Sequence, residues 1–261
     1  MSVLHALILG ILQGLTEFLP ISSSGHLMLF ENIFGIESGN LFFNVLLHFA
    51  TLIAVVIIFW KDVVDIIKHP FGNKMQAIVL ATIPTVILAL IVKFVFDEFA
   101  LMAFLGFGFL ISAVVISVST ALQKRKPMYN TLSVDNKKGL IIGIVQGFAV
   151  LPGVSRSGST ICASLILGVE REESAKFSFL ISIPVIIGGL VFEIVEGVQS
   201  GFGDVNTLVC VVGFISAFVV ALFTIKLMMK IVKKGNWWIF AAYLFIIAII
   251  VLLNQFVFCW F

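Results

Sequence analysis

The hydrophobic pattern of this chain is a series of long apolar runs, and two of the runs are broken by polar, glycine- and serine-rich stretches. The first broken segment covers 3–34: an apolar half from Val3 to Leu19, a polar loop, and a second apolar half from Leu27 to Phe34. Neither half reaches the roughly 20 uninterrupted apolar residues that a spanning helix needs, so the pattern predicts a re-entrant helical hairpin. Three uninterrupted runs follow, at 41–60, 76–96 and 101–122, each predicted to be a transmembrane helix. A polar linker, 123–138, carries Lys124, Arg125, Lys126, Pro127, Lys137 and Lys138. The pattern then starts again, with a second broken segment at 139–169 and runs at 176–197, 207–229 and 237–258.

The restart is visible residue by residue. A shift of 133 positions lays Leu7, Ile8, Gly10, Ile11, Gln13, Gly14, Ser22, Ser24 and Gly25 on Leu140, Ile141, Gly143, Ile144, Gln146, Gly147, Ser155, Ser157 and Gly158. Gly35 and Glu37 fall on Gly168 and Glu170. Two repeats are therefore expected, 1–122 and 139–261, joined by a cytoplasmic linker. A hairpin adds no net crossing and three spans do, so the second half must run upside down. The expected fold is an all-α polytopic membrane protein with an inverted-topology repeat, each half a re-entrant helical hairpin plus three transmembrane helices, with the two polar loops meeting between the halves.

Charge placement gives an independent reading. Turns at 61–75, 123–138, 170–176 and 226–236 hold nearly all the lysines and arginines. The other side receives Glu31, Glu37, Asp97, Glu98, Glu196 and Asp204, with Lys93 as its one cation. The excess of Lys and Arg makes the first set cytoplasmic and puts both termini outside. Trp60, Trp237, Trp238 and Trp260 sit at run ends, as interfacial anchors do.

Composition adds little beyond class. The 261 residues are 61% hydrophobic and 11% charged, with a mean hydropathy of +1.19. Soluble domains carry about a quarter charged residues, so a soluble enzyme is excluded. A net charge of +2 gives no argument for nucleic acid, and none is expected as a partner. Met1 to His5 lacks a basic n-region, so no cleavable signal peptide is expected. Cys162, Cys210 and Cys259 are isolated in apolar runs without metal-ligand spacing and read as packing residues.

The chemistry lies in the two loops. In the first, Gln13 and Glu17 are four residues apart on one helix face, Pro20 stops the helix, and Ser22, Ser23, Ser24, Gly25 and His26 follow. The second reads Pro152-Gly153-Val154-Ser155-Arg156-Ser157-Gly158. Ionisable side chains in such a context are costly and mark function. Arg156 offers a planar fork for phosphate, and glycine-flanked backbone N–H groups ahead of a half-helix form an anion nest. Ser22, Ser24, Gly25, Gly153, Ser155, Ser157 and Gly158 are the expected phosphate-binding set. Glu17 supplies a carboxylate for a divalent cation, helped by Gln13. Ser23 near His26 fits the logic of a nucleophile with its base, although Ser22, Ser24 or water remain alternatives as attacking group. The loop lacks the Gly-Lys-Ser/Thr ending of a Walker motif. Glu17, Ser23, His26 and Arg156 are the candidate catalytic residues for phosphoryl transfer. The competing reading is a transporter or flippase of phosphate or polyprenyl phosphate, an architecture that also uses inverted repeats.

Over essentially its whole length the chain resembles the undecaprenyl-pyrophosphate phosphatases, also called bacitracin-resistance proteins. The resemblance is carried by Gln13 and Glu17, by Phe18-Leu-Pro-Ile-Ser-Ser-Ser-Gly-His26, and by Pro152-Gly-Val-Ser-Arg-Ser-Gly158. It implies removal of the terminal phosphate from a C55 isoprenyl diphosphate, recycling the carrier lipid for cell-wall synthesis. It assigns the family's glutamate, serine, histidine and arginine to Glu17, Ser23, His26 and Arg156. It also implies a divalent cation, Mg²⁺ or Ca²⁺, and a place in the bacterial cytoplasmic membrane. Gln13 stands where many members carry Glu, which leaves one carboxylate where others have two. The expected partners are the bilayer and the polyprenyl diphosphate lipid, with a homodimer as the expected assembly if the chain self-associates.

Overall fold

The structure is a computed structural model that describes residues 1–36, 41–96, 98–125, 133–201 and 206–258. Glu37, Asp97, Lys126, Pro127, Asp204, Cys259 and Trp260 lie outside the described residues. Every element among the described residues is helical. In order these are α1 (Val3–Thr16), α2 (Ser23–Ile33), α3 (Leu41–Ile58), α4 (Trp60–Lys68), α5 (Asn73–Val95) and α6 (Glu98–Arg125). After the linker come α7 (Asn136–Phe148), α8 (Arg156–Ile166), α9 (Arg171–Ser200), α10 (Thr207–Lys234) and α11 (Trp238–Leu253), the last extended by a π-helical turn, Asn254–Phe258. Five helices are long and apolar enough to cross a membrane, or six when the bent pair α3 and α4 is counted as one span. The chain is a multi-pass membrane protein.

Both broken segments form pairs of short helices. Pro20 has no N–H and its ring excludes a helical predecessor, so α1 stops at Thr16 and leaves 17–22 as a loop. Ser22 restarts the helix by capping α2, its hydroxyl accepting from the Gly25 N–H at 3.4 Å. Its repeat mate Ser155 caps α8 in the same way, accepting from the Gly158 N–H at 3.1 Å.

The packing is crosswise between the halves. α1 lies against α10, and α7 lies against α5. Small residues set these seams: a Cβ on Gly10 would stand 2.5 Å from the Gly213 carbonyl, and one on Gly143 would stand 2.2 Å from the Ala81 carbonyl. Without a hydrophobic drive between helices in lipid, such backbone proximity supplies the van der Waals contact that holds them together. α6 packs along α11, and α3 against both α10 and α9.

The first predicted span differs from the expectation. It ends at Ile58 rather than at residue 60, and the chain turns by 81° into α4. α4 has charges on one face and aliphatics on the other, and the bend carries Asp62 to Lys74 at 2.8 Å and Lys176 at 2.6 Å. Glu172 pairs with Lys233 at 2.9 Å, so three of the turns read as cytoplasmic are joined by ion pairs. Lys93 pairs with Glu196 at 2.6 Å, joining two residues assigned to the other side. Trp60 and Trp238 are exposed, as anchors should be, but Trp237 is buried in the core and is not one. Cys162 and Cys210 are buried free thiols, in keeping with a packing role.

Candidate active site

Glu17 is the junction of the site. It caps the C-terminus of α1 and is 7% exposed. Its Oε2 accepts from the Ser23 hydroxyl at 2.6 Å and from Gln13 Nε2 at 3.2 Å. Its Oε1 accepts from Arg156 Nη2, which reaches across from the second half at the start of α8. Gln13, Glu17, Ser23 and Arg156 are thus brought together as the sequence led one to expect, by an i, i+4 step on α1 and two helix starts that face each other.

The two loops lock to one another by direct contact. The Ser157 hydroxyl donates to the Leu19 carbonyl at 2.9 Å. A Cβ on Gly25 would meet the Gly153 Cα at 2.9 Å, and a Cβ on Gly158 would meet Pro20 at 3.1 Å. Gly153 also has a φ of +81°, a conformation in which a side chain is strained. Ser22 and Ser155 are occupied as helix caps, while Ser24 is exposed on the first turn of α2.

Helix α6 cradles this junction, a role no sequence signal marked. Ser112 donates to the Gly153 carbonyl at 3.1 Å and accepts from the Ser155 N–H at 2.8 Å. Gly108 lies so close that a Cβ there would stand 2.0 Å from the Pro152 carbonyl. Phe109 sets its ring edge against His26, with centroids 5.2 Å apart.

His26 is not paired with Ser23. Its Nδ1 lies 2.7 Å from the Ser22 carbonyl and its Nε2 lies 2.7 Å from the hydroxyl of Tyr243 on α11. The observed partner of the Ser23 hydroxyl is Glu17, so the expected Ser23–His26 contact is replaced by a Ser23–Glu17 contact. Tyr243 was missed at the sequence level; its one trace there is a phenol isolated in an otherwise apolar run. His48, in the middle of α3, bonds the Asn44 carbonyl through Nδ1 at 2.9 Å.

Two buried polar atoms at the junction have no protein partner: Arg156 Nη1, a donor, and Gln13 Oε1, an acceptor. Buried polar groups are nearly always bonded to protein, water or ligand, so both atoms are open to a partner from outside the chain. The donor suits a phosphate oxygen. Among the described residues no three His, Cys, Asp or Glu side chains are grouped to hold a metal ion. The donors present are instead the Glu17 carboxylate, Gln13 Oε1 and the Ser23 hydroxyl. That set fits Mg²⁺, which is commonly held by one or two carboxylates and completed by substrate phosphate and water. A cavity of about 710 Å³ between α5, α7 and α9 is lined by Lys74, Asp135, Lys137 and Glu173 and by none of these residues.

Relatives share this chain nearly end to end. It is 38% identical over 259 residues to an undecaprenyl-diphosphatase of Carboxydothermus hydrogenoformans, covering 98% of each chain. It is 38% identical to the undecaprenyl-diphosphatase of Halothermothrix orenii, over 97% of this chain and 98% of that one. A protein of the same name from Methanosphaera stadtmanae is 39% identical over 97% of this chain and 98% of that one. The family model described as "Bacitracin resistance protein BacA" matches residues 6–250, and the chain belongs to that family.

Proposed function

We propose that this protein hydrolyses undecaprenyl diphosphate to undecaprenyl phosphate and inorganic phosphate, through the junction of Glu17, Ser23 and Arg156. The observation that carries the reading is the Glu17 carboxylate, bonded at once by a serine hydroxyl and an arginine whose second amino group is buried and unpaired. The relatives' name supplies the substrate.

In the attack, the Ser23 oxygen bonds the terminal phosphorus while its proton passes to Glu17 Oε2, 2.6 Å away. The bond from phosphorus to the bridging oxygen breaks, and its electron pair leaves on undecaprenyl phosphate. That leaving group is a phosphate, a stable anion, so it needs no protonating acid. Arg156 Nη1 donates to the equatorial oxygens, where charge spreads in the transition state. Water then attacks the phosphoserine, Glu17 returns its proton to Ser23, and the proton shed by water leaves on inorganic phosphate. A divalent cation at Glu17 and Gln13 would neutralise further charge on the diphosphate.

The inverted repeat belongs to the same proposal. It is supported by the exchange of packing partners under the 133-residue shift: α1 with α10 and α7 with α5 are related pairs. At the loops, Gly25 meets Gly153 while Gly158 meets Pro20, which is the same pair with the halves exchanged. We place the protein in a bacterial cytoplasmic membrane, with the ion-paired turns Asp62–Lys74–Lys176 and Glu172–Lys233 on the cytoplasmic side.

The test is phosphate release from a polyprenyl diphosphate in detergent by purified protein, with and without a chelator. Release that the chelator suppresses supports the reading. A protein that binds the lipid but releases no phosphate under either condition is a carrier, and the enzyme reading fails.

A further inference from the structure

His26 is 1% exposed, and both of its ring nitrogens are committed. The Ser22 carbonyl can only accept, so Nδ1 carries the proton. In the neutral ring Nε2 is then bare and accepts from the Tyr243 hydroxyl at 2.7 Å. The Tyr243 ring lies nearly parallel to the imidazole, 10° between planes and 5.7 Å between centroids, and the Phe109 ring packs against the imidazole at 77°. The tautomer is set by the cap of α2, and the ring plane is held from outside it.

What the ring holds in turn is Ser22. Among the described residues Ser22 is the one non-glycine with a positive φ, 71°. Its carbonyl accepts twice from His26, from the backbone N–H at 3.2 Å and from Nδ1 at 2.7 Å. A side-chain-bearing residue stays in such a conformation only where its surroundings over-determine it. Ser22 directly precedes Ser23, so the direction of the Ser23 hydroxyl depends on this strained cap.

We propose that Tyr243 is a positioning residue for Ser23. Tyr243 holds the plane of His26, Nδ1–H of His26 anchors the Ser22 carbonyl, and the strained cap aims Ser23 at Glu17. The strut joins the second half of the chain, through α11, to the reacting hydroxyl in the first. It gives His26 an orienting role with no proton transfer. The proposal rests on Ser23 as the attacking group.

Asparagine and glutamine separate the two nitrogens of His26, since the asparagine amide stands in for Nδ1 and the glutamine amide for Nε2. In purified protein, Tyr243→Phe is expected to lower kcat on the order of 10- to 100-fold, the scale of a misaimed nucleophile, with KM unchanged. His26→Asn is expected to keep clearly more kcat than His26→Gln. Added to His26→Asn, Tyr243→Phe should cost no more than about two-fold, because its path to Ser23 is already cut. Nitrogen NMR of histidine-labelled protein should show His26 as the Nδ1–H tautomer, with the Nε2 resonance displaced by Tyr243→Phe. An unchanged kcat in Tyr243→Phe overturns the proposal. So do equal inactivity of His26→Asn and His26→Gln, as a base at Nε2 requires, and an Nε2–H tautomer. The NMR reading does not depend on which group attacks, so loss of the Ser23 mechanism alone would show in activity and leave the spectrum as expected.

Discussion

Replacing Arg156 by lysine keeps the positive charge and removes the planar fork. In the structure Nη2 is engaged by Glu17 and Nη1 is buried without a protein partner. A lysine ammonium that reaches Glu17 leaves no second nitrogen placed for the terminal phosphate. A hydrogen bond to a charged group contributes about 1.5–3 kcal/mol. At roughly 1.36 kcal/mol per factor of ten, kcat/KM should fall about 10- to 150-fold. Thermal stability should change little, because Glu17 stays paired. Arg156→Ala behaves differently: it strands a carboxylate that is 7% exposed, and removing one partner of a buried pair costs about 3–5 kcal/mol. The assay is phosphate release from a polyprenyl diphosphate, run beside thermal melts of all three proteins in one detergent. Wild-type kcat/KM in Arg156→Lys would refute the reasoning, as would a loss of stability equal to that of the alanine variant.

Glu17→Gln should abolish most turnover and, because it leaves the buried Arg156 without its counter-charge, also lower the melting temperature; wild-type turnover of this variant in EDTA would eliminate the carboxylate's role. Gln13→Glu should tighten Mg²⁺ binding measured by calorimetry, because it adds a second carboxylate one helical turn from Glu17; unchanged affinity would remove position 13 from the cation site. With the native cysteines replaced, single cysteines at Lys93 and Glu196 should label from outside the cell and those at His69 and Lys234 from inside. Labelling of positions 93 and 234 from one face would end the inverted-repeat account.

Much of the site was legible because its parts are polar in an apolar context. Glu17 and Arg156 stand out as ionisable groups inside broken apolar segments, and the 133-residue shift relates the loops that carry them. Pro20 and the capping serines marked the helix breaks by local chemistry. What the sequence did not disclose depends on contacts across the fold. Ser112 and Gly108 serve the second loop only because α6 runs beneath it, and in the sequence they are a small polar and a small apolar residue in a long run. Tyr243 reaches His26 over 217 positions, a separation for which no local pattern exists. Adjacency in sequence suggested that His26 serves Ser23, but on the first turn of α2 its ring turns back to the Ser22 carbonyl instead. The bend after Ile58 was hidden because Trp60 reads equally well as the end of a span or the start of an interfacial helix.

The most direct measurement of the central claim is phosphate release by Ser23→Ala set against Ser22→Ala and Ser24→Ala in the same preparation. Ser23 is the serine bonded to Glu17, whereas Ser22 is a helix cap and Ser24 is exposed. Removing the nucleophile of a covalent route should lower kcat by several orders of magnitude. A lost cap or surface hydroxyl should cost on the order of 1 kcal/mol each. Near-wild-type hydrolysis by Ser23→Ala would contradict the covalent mechanism and leave water, activated at Glu17, as the attacking group.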